Sequence, residues 1–373
     1  MRISHRLLCF ATIATSILIH KPSKVEPWAC NTRIPRVFEG PSRECHCPSP
    51  IFSTKHLGEG TSGVARKLSD TASGQIVVVK THGLRHEDES EEAYLAFIQN
   101  EYRTASSLWH PNIVETYDIY QDEHEAWHQV MEPLAVRLDR LLEVTENASW
   151  DIIDSIFSHI VQGIAHMHSL EIAHMDIKVE NIGISAAGAV KIFDFGSAHP
   201  ILGAGGVPNL AQGIHGTLPY LAPEILKNTP YSPAAADVWA LAILYIRIST
   251  GQFPWEKARL WDTSFRMFCR DDAEFKPTSG LRSIGDLPDL PIDSKSMRGP
   301  ANVLELLPRH VRPMLGRMLD LDPASRPTVD ELVSQGWIKN SRKPTKAELT
   351  RWADVPDISD NISVRPELVS YDY

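Results

Sequence analysis

The sequence predicts an α+β fold with two lobes: a small, mostly-β lobe with one helix, and a larger, mainly helical lobe. Three observations support this prediction. Strand-like runs surround a single helical segment up to about residue 133, and apolar residues at helical spacing dominate after it. The chain has 373 residues, of which 43% are hydrophobic, so it can bury a sizeable core.

The first lobe is expected to span residues 51–133. Its strand-like runs are apolar and are separated by glycine-containing turns. Its helix places Tyr94, Ile98, Glu101 and Ala105 on one face. The predicted strands are 51–57, 76–80, 113–120 and 126–131, and the predicted helix is 89–108.

The second lobe is expected to span residues 134–338. An apolar stripe at helical spacing runs from Ile153 to Met167. The apolar run 238–246 is too short to span a bilayer and is predicted to be a buried helix. Short strands are predicted at 182–184 and 189–193, and further helices near Ala222, Asp237, Pro308 and Val329.

The two ends of the chain show little periodicity. Residues 1–50 are predicted to be an irregular extension, and residues 339–373 a polar tail. Near the start, Arg2 and Arg6 precede the apolar stretch 7–19, which resembles the beginning of a signal peptide but is too short to span a bilayer. Three interpretations stay open: a weak membrane anchor, a disordered extension and an incorrect start codon.

Charge and cysteine content limit the partners and the compartment. The net charge of -10 argues against a nucleic acid or an anionic membrane as the main partner. Cys45-His46-Cys47 is too closely spaced for a zinc site. Only one of the five cysteines lies beyond residue 47, which is typical of a reducing compartment. We therefore expect a cytoplasmic protein, with membrane association through residues 7–19 left open.

A glycine-rich segment, Gly58-Glu59-Gly60-Thr61-Ser62-Gly63, lies between two predicted strands. A dinucleotide fingerprint must open a helix, so this context argues against one. Glycines here would let backbone N–H groups approach phosphates without a Cβ in the way.

A lysine ends the strand that follows. Lys80 is either a solvent-exposed strand end or an ammonium directed at phosphates. The second interpretation needs a carboxylate partner, and Glu101 supplies one on the apolar face of the next helix. A carboxylate on such a face is costly unless it is paired.

The third motif contains the residue types that phosphoryl transfer requires. Asp176, Lys178 and Asn181 lie within His174–Asn181, and Asp194-Phe195-Gly196 follows Asp176 by 18 positions. Asp176 would orient a hydroxyl and accept its proton, Lys178 would neutralise charge, and Asn181 and Asp194 would offer oxygen ligands to Mg²⁺. Each of these residues alone could be an ordinary loop residue. Their occurrence together in this order is not expected of ordinary loops.

These motifs, in this order, resemble those of the protein kinase superfamily over about residues 51–337. Gly216-Thr217 resembles the serine/threonine branch, in which such a threonine contacts the catalytic Asp and Lys. The resemblance implies a bilobal kinase fold, ATP and Mg²⁺ as cofactors, protein substrates, and a monomer. Further residues that match the superfamily are Ala222-Pro223-Glu224, Asp237 with Trp239, and Arg326. The resemblance implies that Asp237 braces the catalytic loop and that Arg326 pairs with Glu224.

The resemblance also implies which residues form the ATP-binding site. Met131-Glu132-Pro133-Leu134 is similar to the hinge between the lobes, with Met131 as gatekeeper and backbone groups of Glu132 and Leu134 at the adenine. The alternative interpretation is that the strand ends at a turn at Pro133 and that this segment is not a hinge. The implied ATP-binding residues are Leu57, Gly58, Glu59, Gly60, Gly63, Ala65, Lys80, Glu101, Met131, Glu132 and Leu134.

Within the superfamily, the chain most resembles fungal kinases of the halotolerance and nitrogen-permease-reactivator group, a group associated with control of plasma-membrane transporters. Segments 101–118, 253–265 and 307–337 carry this resemblance. Three departures from the superfamily pattern are Ala65 in place of Val, Ala242 in place of Gly, and Met175 in place of the Arg before the catalytic Asp.

Two other functions are compatible with parts of this pattern. A pseudokinase scaffold would usually lack Lys80, Asp176 or Asp194, and all three are present. A small-molecule kinase shares the Asp-to-Asn loop, but Ala222-Pro223-Glu224 with Arg326 belongs to the peptide-substrate architecture. The sequence favours an active serine/threonine protein kinase.

Overall fold

The computed structural model describes residues 52–60, 63–70, 74–85, 89–122, 124–144, 149–227, 229–269 and 304–341. The predicted extension 1–50 and residues 342–373 of the predicted tail lie outside these ranges, as do Thr61 and Ser62 of the glycine-rich segment.

The first half of the described chain forms an antiparallel sheet with one helix. The strand order is β1-β2-β3-β5-β4, and the helix α1 follows β3 in the chain. The bounds are β1 Phe52–Gly60, β2 Gly63–Asp70, β3 Ile76–His82, α1 Glu91–Ser107, β4 Thr116–Gln121 and β5 Trp127–Met131.

Helix α1 begins where its sequence provides a cap. The Ser90 side chain accepts a hydrogen bond from the Ala93 N–H, and two glutamates occupy the first turn, where they interact favourably with the helix dipole. Its buried residues, Ile98, Glu101 and Ala105, recur at spacings of three and four, as predicted. Glu101 is therefore carried on the face that packs on the sheet.

Strand β2 was not predicted, because Val64-Ala65-Arg66-Lys67-Leu68 does not alternate cleanly between apolar and polar residues. Its strand state is set by pairing on both sides, with β1 and with β3. Gly63 has a φ of +136°, and a Cβ there would lie 2.1 Å from the Thr81 carbonyl oxygen. The last glycine of the segment is therefore required by this close approach.

The second half is mainly helical, with two small sheets, β6-β8-β9 and β10-β7. The strands are β6 Val136–Arg137, β7 Ile172–Ala173, β8 Ile182–Ile184, β9 Val190–Ile192 and β10 His199–Pro200. The helices are α2 Leu138–Val144, α3 Trp150–Ser169, α4 Pro233–Thr250, α5 Thr263–Phe268, α6 Arg312–Met318, α7 Val329–Ser334 and α8 Gly336–Lys339.

Helix α4 lies in the core of this half. It begins at a Ser232 cap followed by Pro233 and ends at Gly251, which has a φ of +69°. Trp239 and Tyr245 are fully buried along it, so the prediction of a buried helix at 238–246 is correct. In the part of the chain that the structure describes, no helix is both long and apolar enough to cross a membrane.

The expectation of a helix near Ala222 is wrong. This region contains only two short 3-10 turns, Leu218–Tyr220 and Ile225–Lys227. Pro219 and Pro223 explain the difference, because proline lacks an N–H and disfavours a helical conformation in the residue before it. The two-lobed α+β fold as a whole is as predicted.

Candidate active site

Lys80, Glu101 and Asp194 meet between the sheet and the helical half. The Lys80 ammonium lies 2.6 Å from Glu101 Oε1 and 3.1 Å from Asp194 Oδ1. Burial lowers the pKa of Lys80, but the two carboxylates outweigh it, so the pKa ends above its usual value. For Asp194, burial raises the pKa, because it disfavours the charged carboxylate. The Lys80 ammonium outweighs this effect and leaves the pKa below its usual value. The lysine stays charged and the aspartate stays ionised at neutral pH.

A second cluster forms around Asp176. The Thr217 hydroxyl donates to Asp176 Oδ1 at 2.9 Å and accepts from the Lys178 ammonium at 2.9 Å. Lys178 Nζ also lies 2.7 Å from Asp176 Oδ2. The contact of Thr217 with an aspartate and a lysine, which the resemblance implied, is therefore formed.

Asn181 connects the two clusters. It lies in the 3-10 turn Val179–Asn181, and its side-chain N–H groups donate to the Asp176 carbonyl and to Asp176 Oδ2, at 2.9 and 3.0 Å. Its own carbonyl accepts from the Phe193 N–H at 3.0 Å. Because Asp194 follows Phe193, this bond fixes the predicted metal-binding motif, residues 194–196, beside the predicted catalytic loop, residues 174–181.

Asp237, from α4, binds the backbone of the predicted catalytic loop. Its carboxylate, 1% exposed, accepts from the N–H groups of His174 and Met175, both at 2.8 Å. Met175 has a φ of +66°, which is unfavourable for a residue with a side chain. His168, whose Nε2 lies 2.9 Å from Asp237 Oδ2, was missed by the sequence analysis. No local motif marks it, since its partner is distant in sequence.

Gly216 lets the Thr217 segment approach the catalytic loop. Its φ is +102°, and a Cβ would lie 2.7 Å from the Met175 carbonyl oxygen. A side chain at this position would push Thr217 away from Asp176.

Glu224 and Arg326 form the buried pair that the resemblance implied. Arg326 donates to both carboxylate oxygens, at 2.6 and 2.8 Å, and also to the Ala235 carbonyl at 2.9 Å. This pair joins the segment that follows Thr217 to the start of α4.

The residues expected around adenine lie at the end of β5. Met131 ends that strand. The Glu132 side chain accepts from Lys191 Nζ at 2.6 Å and from the Glu115 N–H at 2.8 Å, a contact that the sequence analysis did not find. A Cβ on Gly183 would meet Leu134 Cδ1 at 2.5 Å, so the Leu134 side chain occupies the space above β8.

The two strands on either side of the glycine-rich turn, β1 and β2, also lie in this region. Ala65 is the cross-strand partner of Lys80, and Val78 lies on the same face of β3 as Lys80. Val78 is buried and can supply the branched side chain that Ala65 lacks. Leu57 and Gly58 lie in β1, together with the backbone of Glu59 and Gly60.

The donor set fits Mg²⁺ bound together with a phosphorylated ligand. Asn181 and Asp194 can offer an amide and a carboxylate oxygen, and Mg²⁺ in nucleotide sites usually takes one or two protein ligands with phosphates and water. Within the described ranges, no cluster of three or more His, Cys, Asp or Glu could hold a metal by itself. A metal here would thus need the nucleotide to complete its coordination.

The fold and these contacts define the class of protein. A comparison with known families matches residues 52–338 to the protein kinase domain. This match covers more than half of the chain, so the chain belongs to the protein kinase family.

Curated relatives agree with the predicted group. The nitrogen permease reactivator protein of Saccharomyces cerevisiae is 32% identical over 310 residues, covering 76% of this chain and 38% of that protein. The serine/threonine-protein kinase oca2 of Schizosaccharomyces pombe is 32% identical over 315 residues, covering 76% and 48%. The serine/threonine-protein kinase HAL4/SAT4 of Saccharomyces cerevisiae is 29% identical over 253 residues, covering 64% and 42%. The resemblance to this fungal group is confirmed, and the chain spans less than half the length of these relatives.

Proposed function

We propose that this protein transfers the γ-phosphate of ATP to serine and threonine hydroxyls of protein substrates. The observation that supports this most directly is the Thr217 hydroxyl, which joins Asp176 to Lys178. This contact supports the proposal because phosphoryl transfer to a hydroxyl needs a carboxylate and a cation held side by side.

In this proposal Asp176 orients the substrate hydroxyl and accepts its proton. Asn181 holds Asp176 Oδ2 from one side and Thr217 holds Oδ1 from the other. The carboxylate is thereby oriented before substrate arrives, which reduces the reorganisation needed in the transition state. Lys178 neutralises negative charge on the transferred group.

Lys80 binds the phosphates of ATP on the other side of the site. Glu101 keeps its ammonium in place at 2.6 Å. Asn181 and Asp194 would hold Mg²⁺, which would neutralise charge on the phosphates. The glycine-rich segment would cover the phosphates, and the hinge around Glu132 and Leu134 would bind adenine.

The wider assignments belong to the same proposal. We propose an N-lobe of 51–133 and a C-lobe of 134–338 that meet at the hinge. The protein would act as a cytoplasmic monomer without a nucleic-acid partner, and an association of residues 7–19 with a membrane stays open.

The test is phosphorylation of a degenerate peptide array by the purified full chain with ATP and Mg²⁺. We expect phosphate on serine and threonine positions. Transfer to tyrosine alone would contradict the Thr217 argument, and nucleotide binding without transfer to any peptide would indicate a scaffold instead.

A further inference from the structure

A buried polar cluster lies behind the Lys80–Glu101 pair. His82 is two residues from Lys80 on β3, so both side chains lie on one face of the sheet. Gln129, on β5, is the cross-strand partner of Lys80. His82 and Gln129 are each 3% exposed, and Glu101 is 2% exposed. The cluster is therefore closed to bulk solvent.

Several polar atoms of this cluster lack a hydrogen-bond partner among the described residues. They include Oε2 of Glu101. The His82 ring nitrogens and Oε1 of Gln129 form no well-aligned bond, although Gln129 acts as a hydrogen-bond partner of the His82 ring. Buried polar atoms nearly always have partners, and an unpaired one carries a desolvation penalty. Glu101 Oε2 is the atom of this cluster that most clearly needs a further partner.

The His82 ring also faces the unpaired oxygen of Glu101. Nδ1 of His82 lies 3.9 Å from Oε2 of Glu101, which is beyond hydrogen-bonding distance and too short for a bridging water. A small rotation of either side chain would form a direct bond. Glu101 Oε1 is already bonded to Lys80, so Oε2 is the oxygen left without a partner.

The charge of the ring can be derived from its surroundings. Burial and the Lys80 ammonium lower the pKa of His82 to about 4, although a hydrogen bond with Gln129 and the charge of Asp194 act in the opposite direction; His128 also lowers it. The imidazole is therefore neutral at physiological pH, with one N–H donor and one lone pair. A donor can point at Glu101 only if the proton is on Nδ1.

We infer that His82 is a positioning residue for phosphoryl transfer: its Nδ1–H donates to Oε2 of Glu101 and so keeps Oε1 on Lys80. This inference rests on the proposed kinase function. Since Lys80 is held by Glu101, a carboxylate that rotates freely would leave the ammonium less often directed at the phosphates. His82 prevents that rotation without touching the nucleotide.

The inference makes a spectroscopic prediction that does not depend on activity. Long-range ¹H–¹⁵N spectra of the full chain with ¹⁵N-labelled histidine report the tautomer of each ring. We expect the signal that disappears in His82→Leu to be that of an Nδ1–H tautomer. An Nε2–H tautomer for His82 would overturn the inference.

Kinetics test the consequence with a rescue and a control. His82→Leu should lower kcat/KM for ATP roughly tenfold, since one hydrogen bond to a charged group is lost. His82→Asn, whose amide N–H can replace Nδ1–H, should stay within roughly threefold of wild type. His128→Leu changes an imidazole that bonds Asp122 and Thr81 instead, and should leave kcat/KM unchanged. Equal losses in the leucine and asparagine variants would overturn the positioning role.

A double-mutant cycle with Glu101 distinguishes a positioning role of His82 from a general structural effect of its replacement. In a Glu101→Gln background, His82→Leu should cause no further loss, because the group through which it acts is already changed. An equal loss in both backgrounds would contradict the inference. Urea unfolding checks that the leucine variant is folded, and His82→Met provides a second apolar variant.

Failure of the proposed function has a different signature. A wild-type chain that binds ATP but phosphorylates no peptide would refute the function, not the positioning role. The same variants would then be ranked by their dissociation constants for ATP, and the tautomer measurement would stand unchanged.

Discussion

Arg326 and Glu224 are 102 residues apart in the chain, yet they form a two-pronged ion pair in the core of the helical half, with N–O distances of 2.6 and 2.8 Å. The Arg326 side chain is 1% exposed and that of Glu224 is 9% exposed. The Arg326 guanidinium also lies over the Trp239 ring, 4.9 Å from its centroid.

This geometry predicts a large loss of stability in Arg326→Leu. Removing one partner leaves a buried carboxylate without its counter-ion, which destabilises proteins by about 3–5 kcal/mol. The free energy of unfolding should be measured in urea. Arg317→Leu is a matched control, because its pair with Glu331 is exposed at 45% and 49% and should contribute at most about 1 kcal/mol. Equal losses in the two variants would contradict the assigned role.

The two aspartates of the site should differ when each is replaced. Asp176→Ala and Asp194→Ala should both reduce phosphate transfer by at least about a thousandfold, because base and metal positioning are lost. Asp194→Ala should also weaken binding of MgATP, since Asp194 lies 3.1 Å from Lys80. Asp176→Ala should bind MgATP nearly as well as wild type. Nucleotide titration and a peptide assay check both parts, and near-normal turnover in either variant would refute the site.

The lysine pair predicts a graded result. Lys80→Met should remove most activity. The protein should still fold, but with a lower unfolding midpoint, because Glu101, 2% exposed, loses its counter-ion. Glu101→Gln should have a smaller effect in the same direction, since it positions Lys80 and does not contact ATP. Peptide phosphorylation and a thermal unfolding midpoint decide this. A silent Glu101→Gln variant would show that another residue holds the lysine.

His82 also predicts a pH dependence of stability. Its folded-state pKa of about 4 is below the unfolded value of 6.5. Between these values the unfolded state binds more protons, so stability falls as pH falls. The full shift corresponds to about 3 kcal/mol. His110 contributes in the same direction, so the test is the difference between wild type and His82→Leu from pH 7 to 4. Parallel curves would show that His82 does not titrate as stated.

The sequence predicted the residues whose type and spacing are fixed by chemistry. Asp176, Asn181 and Asp194 are candidates of this kind, because phosphoryl transfer needs such groups in that order. It did not predict β2, whose strand state comes from pairing with two neighbours and not from its own pattern.

Contacts between distant elements were also hidden in the sequence. His82 lies two residues beyond the predicted end of its strand, at 80. Gln129 reads as an ordinary polar residue of a predicted strand, and only the register of β3 with β5 brings it beside Lys80. The same holds for His168 and Asp237, which are 69 residues apart. Long-range pairing is decided by the packed fold, which local periodicity does not specify.

The segment after the metal-binding motif is held by backbone contacts. Ala211 exchanges two hydrogen bonds with Tyr231, at 2.9 and 3.0 Å, and the Tyr231 hydroxyl donates to the Gly213 carbonyl at 3.1 Å. Upstream, β10 pairs with β7, and the Ile201 N–H donates to the Glu171 carbonyl at 2.8 Å. The segment is thus fixed at both ends without any charged group.

These contacts predict that activity does not require phosphate on this segment. In many kinases an Arg before the catalytic Asp binds an activating phosphate; here that residue is Met175, which is buried and cannot bind one. Between Gly196 and Gly216 the only hydroxyl residue is Ser197, directly after the metal-binding motif. Protein made in bacteria and treated with a broad phosphatase should keep full activity, and Ser197→Ala should match wild type. Tyr231→Ala, in contrast, should lower activity several-fold, because the side-chain bond to Gly213 is lost. A large loss after phosphatase treatment that maps to this segment would refute the prediction.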